Sequence, residues 1–284
     1  MTQGDKASDR LVSSSWLAAR LKHSSIRIIE VSASKDDDDY REGHIPGAVW
    51  WYWKDALWHE TDREFPTPEE MALRLGKIGI DAETTIVLYG DPVQYGTYAF
   101  WVLTMAGHKD VRLLDGGKKG WLSEGLPLST EIIKYGLNVY AVRKEDRKSR
   151  VGRDDVRSKL KSSRRLLLDV RSPEEYIGAR VMPPSGFDHG AERTGRIPGA
   201  VHLFFRELVN EDDTFLNESS LTDIFARAGI TPGFKKEIVT YCRLSHRATL
   251  AWFALQHILG YSNAKVYDGS WTEWGSIVGF PIER

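Results

Sequence analysis

The chain contains one long sequence twice. Ile45-Pro46-Gly47-Ala48-Val49 returns as Ile197-Pro198-Gly199-Ala200-Val201, 152 positions later, and Tyr89 returns as Tyr241 at the same offset. Beyond that point the offset is 153, pairing Gly107 with Gly260, Asp115-Gly116 with Asp268-Gly269, and Trp121 with Trp274. Upstream, Glu30-Val31 pairs with Asp169-Val170 at an offset of only 139. The second copy therefore carries about thirteen extra residues before Ile197 and gains one just after Tyr241. A period this long marks a domain duplication, not a solenoid. Two domains also suit a chain of 284 residues, at one domain per ~100–200.

Each copy reads as α/β. Short apolar runs predict buried strands at 27–31, 85–89 and 111–114 in the first copy, and at 166–170, 237–241 and 265–267 in the second. Over 248–259, Ala251, Ala254, Leu255 and Ile258 recur at helical spacing, and Gly260 stops the run. Strands alternating with helices imply, in each domain, a mostly parallel sheet flanked by helices. Between the copies, 131–163 is rich in Lys, Arg and Asp, with little apolar periodicity before Asp154. The expected organisation is an N-terminal domain over 1–130, a solvated linker over 131–153 and a C-terminal domain over 154–284.

Composition closes several routes. Basic residues number 39 against 40 acidic ones, so no electrostatic footprint points to nucleic acid or an anionic membrane. The opening MTQGDKASDR has no apolar signal stretch, and no run approaches the ~20 apolar residues of a membrane span; a cytoplasmic location is expected. The eight histidines are scattered and the lone cysteine cannot build a multi-Cys zinc site. No phosphate-binding glycine motif is present. Neither metal nor cofactor is expected. The run Asp36–Asp39 lacks the spacing of a calcium loop and reads as solvated. Trp50, Trp51, Trp53 and Trp58 read as packing residues before they read as a ligand platform.

A single cysteine in an anonymous protein is more often an inert buried hydrophobe than a reactive group. The surroundings of Cys242 argue otherwise. It follows a predicted strand and precedes a predicted helix, where open α/β sheets bind ligands. The segment Cys242-Arg243-Leu244-Ser245-His246-Arg247 should wrap the helix N-terminus, whose unpaired amides point into the loop. That positive end, with Arg243 and Arg247, favours thiolate over thiol. Four residues separate Cys242 from Arg247, one fewer than in the Cys-x5-Arg loops that hold phosphate. A tighter ring of amides suits a single sulfur atom, which disfavours a phosphatase or arsenate reductase.

Tyr241–Arg247, with Tyr267-Asp268-Gly269-Ser270-Trp271-Thr272-Glu273-Trp274, resembles the rhodanese family, in particular bacterial two-domain thiosulfate sulfurtransferases. Asp169-Val170-Arg171-Ser172-Pro173-Glu174-Glu175-Tyr176 and both Ile-Pro-Gly-Ala-Val segments match the same family, and the likeness spans roughly 11–283. The resemblance implies a catalytic second domain and an inactive first one, and Gly90 indeed stands where Cys242 stands in the second copy. It further implies that Cys242 takes sulfane sulfur from thiosulfate as a persulfide and yields it to cyanide or a thiol. In this reading Arg243 and Arg247 bind the donor, with Leu244, Ser245 and His246 completing the loop. Arg180, Arg193 and Arg196, in or beside the extra segment, are candidates to close over the site. Ser245 stands where related loops often carry glycine, a replacement that a tight turn resists. Mercaptopyruvate-specific relatives carry Cys-Gly-Ser-Gly-Val-Thr. Two arginines and no glycine favour thiosulfate over 3-mercaptopyruvate here. A persulfide relay for a dedicated partner is the alternative from another class.

Overall fold

A computed structural model describes residues 8–183 and 188–284. Part of the extra segment before Ile197 thus lies outside the described residues. The chain forms two compact units. One runs to Arg147 and includes Glu211–Thr214; the other comprises Lys148–Asn210 and Phe215–Arg284.

The first unit holds strands β1 (Leu11–Val12), β2 (Ile26–Ser32), β3 (Ala48–Tyr52), β4 (Thr85–Asp91) and β5 (Val111–Leu114), in the order β1-β5-β4-β2-β3. The second repeats this with β6 (Arg150–Val151), β7 (Arg165–Asp169), β8 (Val201–His202), β9 (Glu237–Tyr241) and β10 (Ala264–Tyr267), in the order β6-β10-β9-β7-β8. All strand pairs in both sheets are parallel. Each domain is therefore α/β, and the six apolar runs are the three central strands of each sheet. The short outer strands β1, β6 and β8 are too brief to leave an apolar run, and β3 is built from the Ala-Val half of the repeated motif.

Register confirms the copy alignment. Glu30 lies opposite Tyr89 across β2 and β4, and Asp169 lies opposite Tyr241 across β7 and β9. Buried polar bonds are duplicated with the backbone. The Ile45 amide donates to the Tyr89 hydroxyl and the Ile197 amide to the Tyr241 hydroxyl, both at 3.2 Å. Tyr40 and Tyr176 each donate to an alanine carbonyl, Ala48 or Ala200, at 2.8 Å. The indoles of Trp121 and Trp274 donate to the carbonyls of Pro127 and Pro281. The repeated motif is thus a buried turn whose amide satisfies a core tyrosine, with Gly47 and Gly199 both at positive φ.

Up to Arg147 the charged stretch is not a free tether. The Tyr135 hydroxyl donates to Gly47, its ring sits 3.3 Å under the Arg27 guanidinium, and the Asn138 amide donates to Gly76. Tyr140 is buried against His108, at 2.8 Å. The Tyr135 and Tyr140 side chains and the Asn138 backbone amide anchor an extended strap that carries no apolar period. The tryptophans pack within the first unit: Trp53 meets Trp58 edge-on at 4.6 Å, and the Trp58 indole donates to Tyr98. Among the described residues no helix is long and apolar enough to cross a membrane.

Candidate active site

Cys242 follows the last residue of β9 and is 1 % exposed. The helix His246–Phe253 begins four residues later and runs on through a π turn over Ala254–Ile258. The expected strand–loop–helix arrangement around Cys242 is therefore present. The loop is gripped by the turn after β10. The Cys242 amide donates to Ser270 Oγ, while the Trp271 and Thr272 amides donate to the carbonyls of Cys242 and Arg243. Ser270 Oγ in turn donates to Tyr267, closing the turn on itself.

Arg247 is buried and its two terminal nitrogens meet the two carboxylate oxygens of Glu175, at 2.6 and 2.9 Å. Glu175 is the third helical residue of a capping box: its carboxylate also accepts the Ser172 amide, and its own amide donates to Ser172 Oγ. One buried carboxylate thus serves a helix start and an active-loop guanidinium. Burial works against the Arg247 charge. The Glu175 hydrogen bonds, the electrostatic pull of the neighbouring Cys242 and the Glu175 charge outweigh it and raise the guanidinium above its ordinary value. Arg247 thereby places a fixed positive charge beside the sulfur. Both its terminal nitrogens are engaged by Glu175, an arrangement that differs from a guanidinium reserved for the donor.

Beneath the loop lies a second buried pair. Arg171 contacts Asp169 through Nε and Nη2, donates to Gly195, and sits 4.6 Å from the Trp271 ring centre. The first unit has Glu30 where this unit has Asp169, and Ser32 where this unit has Arg171. Burial pushes the Glu30 carboxyl up, and Tyr89 donates to it.

Arg243 is half-buried and reaches over Gly190 to the His189 carbonyl, at 3.2 Å. Leu244 is half-buried and His246 buried. Ser245 has φ +73° and is wholly buried. Its hydroxyl is engaged by Asp268, at 2.5 Å to the carbonyl and 2.8 Å to Oδ1. Such a conformation costs a non-glycine residue roughly 1–2 kcal/mol, and the Asp268 bonds offset it.

The three arginines of the extra segment part ways. Arg193 donates to the carbonyls of Trp274, Gly275, Ile277 and Phe280, clamping the C-terminal segment. Arg196 is tied to Glu283 and stacks on Tyr176. These two are therefore engaged in holding the chain end, not free to fold over the site. Arg180 lies 3.9 Å from Asp188.

Sequence reasoning missed Glu175, Asp268 and Ser270 as parts of this constellation. The capping-box pattern Ser172-Pro173-Glu174-Glu175 was the available signal for the first, since it fixes where that carboxylate starts.

In the first unit the equivalent position is closed. A side-chain carbon on Gly90 would lie 2.2 Å from the Gly96 amide nitrogen and 2.7 Å from the Pro92 oxygen. Without the extra residue, backbone fills the space that the second copy gives to a thiol.

A duplicated, wholly parallel α/β domain with a lone buried cysteine in its strand-to-helix loop defines the class. The chain belongs to the rhodanese-like domain family, which matches residues 13–124 and 153–277. It is 42% identical to the sulfur carrier protein TtuD of Thermus thermophilus, over 96% of either chain. It is 38% identical to a Haloferax volcanii protein named "Putative thiosulfate sulfurtransferase", over 100% of this chain and 99% of that one. Among solved structures it is similar to the anaerobic ergothioneine biosynthesis enzyme from Chlorobium limicola, with TM-score 0.84 and 28% identity. That match covers 100% of this chain and 72% of the other. Together these likenesses support sulfurtransferase activity.

Proposed function

We propose that the protein is a thiosulfate sulfurtransferase working through a Cys242 persulfide. The observation that carries this reading is the setting of the only cysteine in the sequence, between the end of a central strand and the start of a buried helix, beside the Arg247–Glu175 pair. The Cys242 thiolate attacks the outer sulfur of thiosulfate. A sulfur–sulfur bond forms, the bond to the sulfite sulfur breaks, and sulfite leaves with the electron pair. The persulfide anion is held by loop amides and the helix end until cyanide or a thiolate takes its terminal sulfur and returns Cys242 as thiolate. Since no second cysteine exists, a thiol acceptor must come from another molecule. Arg243, reaching out on the loop's rim, is assigned to the dianionic donor, and Arg247 to the charge balance of the sulfur anion.

The likeness to a sulfur carrier protein favours a second reading, in which the same persulfide is handed to a dedicated protein partner. Incubation with thiosulfate and cyanide, followed by thiocyanate determination, tests the first reading. Mass spectrometry of the intact chain should show one added sulfur after thiosulfate, absent in Cys242→Ser. Persulfide formation with negligible thiocyanate would favour the relay; no persulfide from thiosulfate would overturn the first reading. A persulfide loaded instead from 3-mercaptopyruvate would reassign the donor.

A further inference from the structure

Two residues of the loop's support are joined in a way that the reaction alone does not require. Ser245 is the residue from which the helix at 246 starts: its carbonyl accepts the Thr249 amide at 2.8 Å. It is also the one loop residue in the left-handed region. Its hydroxyl donates a bifurcated bond to the carbonyl and Oδ1 of Asp268, and Asp268 Oδ2 accepts from Arg150 at 2.9 Å. Asp268 is itself buried. Two and three residues further on, Ser270 and Trp271 hold both backbone groups of Cys242. The same turn therefore grips the loop at its nucleophile and at its last residue before the helix.

A left-handed backbone is where glycine is at ease and a Cβ-bearing residue is not. A serine there keeps the turn only while something rewards that backbone shape. We propose that Asp268 is a positioning residue whose bonds to Ser245 hold the left-handed turn, and that this turn aims the loop amides and the helix N-terminus at the Cys242 sulfur. Its orientation is fixed in turn by Arg150 from the neighbouring strand. This rests on Cys242 being the reacting thiol but not on the identity of the donor.

The test separates conformation from hydrogen bonding at Ser245. Both Ser245→Gly and Ser245→Ala delete the hydroxyl, but only glycine is relieved of the strain. The alkylation rate of Cys242 by iodoacetamide across pH, and the rate of persulfide formation from thiosulfate, should be at least about tenfold lower in Ser245→Ala than in Ser245→Gly. Asp268→Asn should slow both reactions in the wild-type background by about tenfold, equivalent to ~1.4 kcal/mol. In the Ser245→Gly background its effect should shrink to about twofold or less. Equal losses in the glycine and alanine variants, or an Asp268→Asn penalty undiminished by glycine, would overturn the proposal. Should Ser245→Ala fail to fold, the Asp268→Asn comparison in the two backgrounds decides alone. Alkylation needs no sulfur donor, so the expected order there upholds the positioning role even if thiosulfate proves not to be used.

Discussion

Arg247 and Glu175 meet end to end, both terminal nitrogens on both carboxylate oxygens, with Glu175 wholly buried. Buried pairs of this kind add little net stability, but removing one partner strands the other charge at a cost of roughly 3–5 kcal/mol. Glu175→Ala should therefore lower the unfolding free energy by about that amount and also slow sulfur transfer, since Arg247 loses its fixed orientation. Arg247→Lys keeps the charge but not the two-point contact. It should retain more stability than Glu175→Ala, read by denaturant unfolding, while still losing activity.

Arg243 makes a different prediction, because its guanidinium is held by a single contact to the His189 carbonyl and not by a carboxylate pair. Charge-assisted bonds to a dianion are worth roughly 1.5–3 kcal/mol. Arg243→Ala should lower kcat/KM for thiosulfate about ten- to a hundredfold. The loss should be smaller with monoanionic 3-mercaptopyruvate, and raised salt should narrow the gap between wild type and variant. Steady-state kinetics with both donors at two ionic strengths checks this; equal losses would make Arg243 a loop-shaping residue.

Gly90 cannot simply regain a thiol. A side-chain carbon there falls within 2.2 Å of the Gly96 nitrogen, so Gly90→Cys should destabilise the first unit. In a Cys242→Ser background it should form no persulfide by intact-mass measurement. Sulfur bound at position 90 would show that the first copy lost only its nucleophile and not its pocket.

Glu30 carries a pH signature. Burial holds its carboxyl above the ordinary 4.5, with the Tyr89 bond only partly offsetting it. The folded state therefore binds the Glu30 proton more tightly than the unfolded chain does. It takes up a proton on folding between the unfolded and folded values, and stability falls as pH rises through that window. Glu30→Gln keeps an acceptor for Tyr89 and removes the charge. It should raise the melting temperature at neutral pH, with the gain vanishing below about pH 4, where the unfolded acid is also protonated.

The strands and the Cys242 loop could be read from the chain because each depends on local patterns: apolar runs, a helical spacing, a lone thiol between them. What could not be read depends on meetings across the sheet. Glu175 reaches Arg247 from 72 positions away, and nothing in either neighbourhood announces the other. Arg193 and Arg196 looked available because surface arginines generally are; four backbone carbonyls claim the first and Glu283 the second. The strap to Arg147 was obscured by its charge, its anchors being two separate tyrosines and one backbone amide with no repeat. Ser245 drew notice only as a missing glycine, and its compensation by Asp268 came from 23 residues on.

The paired bonds from Ile45 to Tyr89 and from Ile197 to Tyr241 span 44 residues in each copy. Total length between those anchors is the same in both copies, but the helix N-caps Thr67 and Asn217 are 150 positions apart. The flanking strands, at Ala48 and Ala200 and at Thr85 and Glu237, are 152 apart, so a loss before that helix and a gain after it cancel. The protein thus carries its own record of where insertions are tolerated. The loops on either side of that helix have traded small changes in length, whereas the larger gain, before Ile197, lies outside the anchors and marks the segment most open to redesign. A chain engineered for a bulkier sulfur acceptor should be lengthened there first.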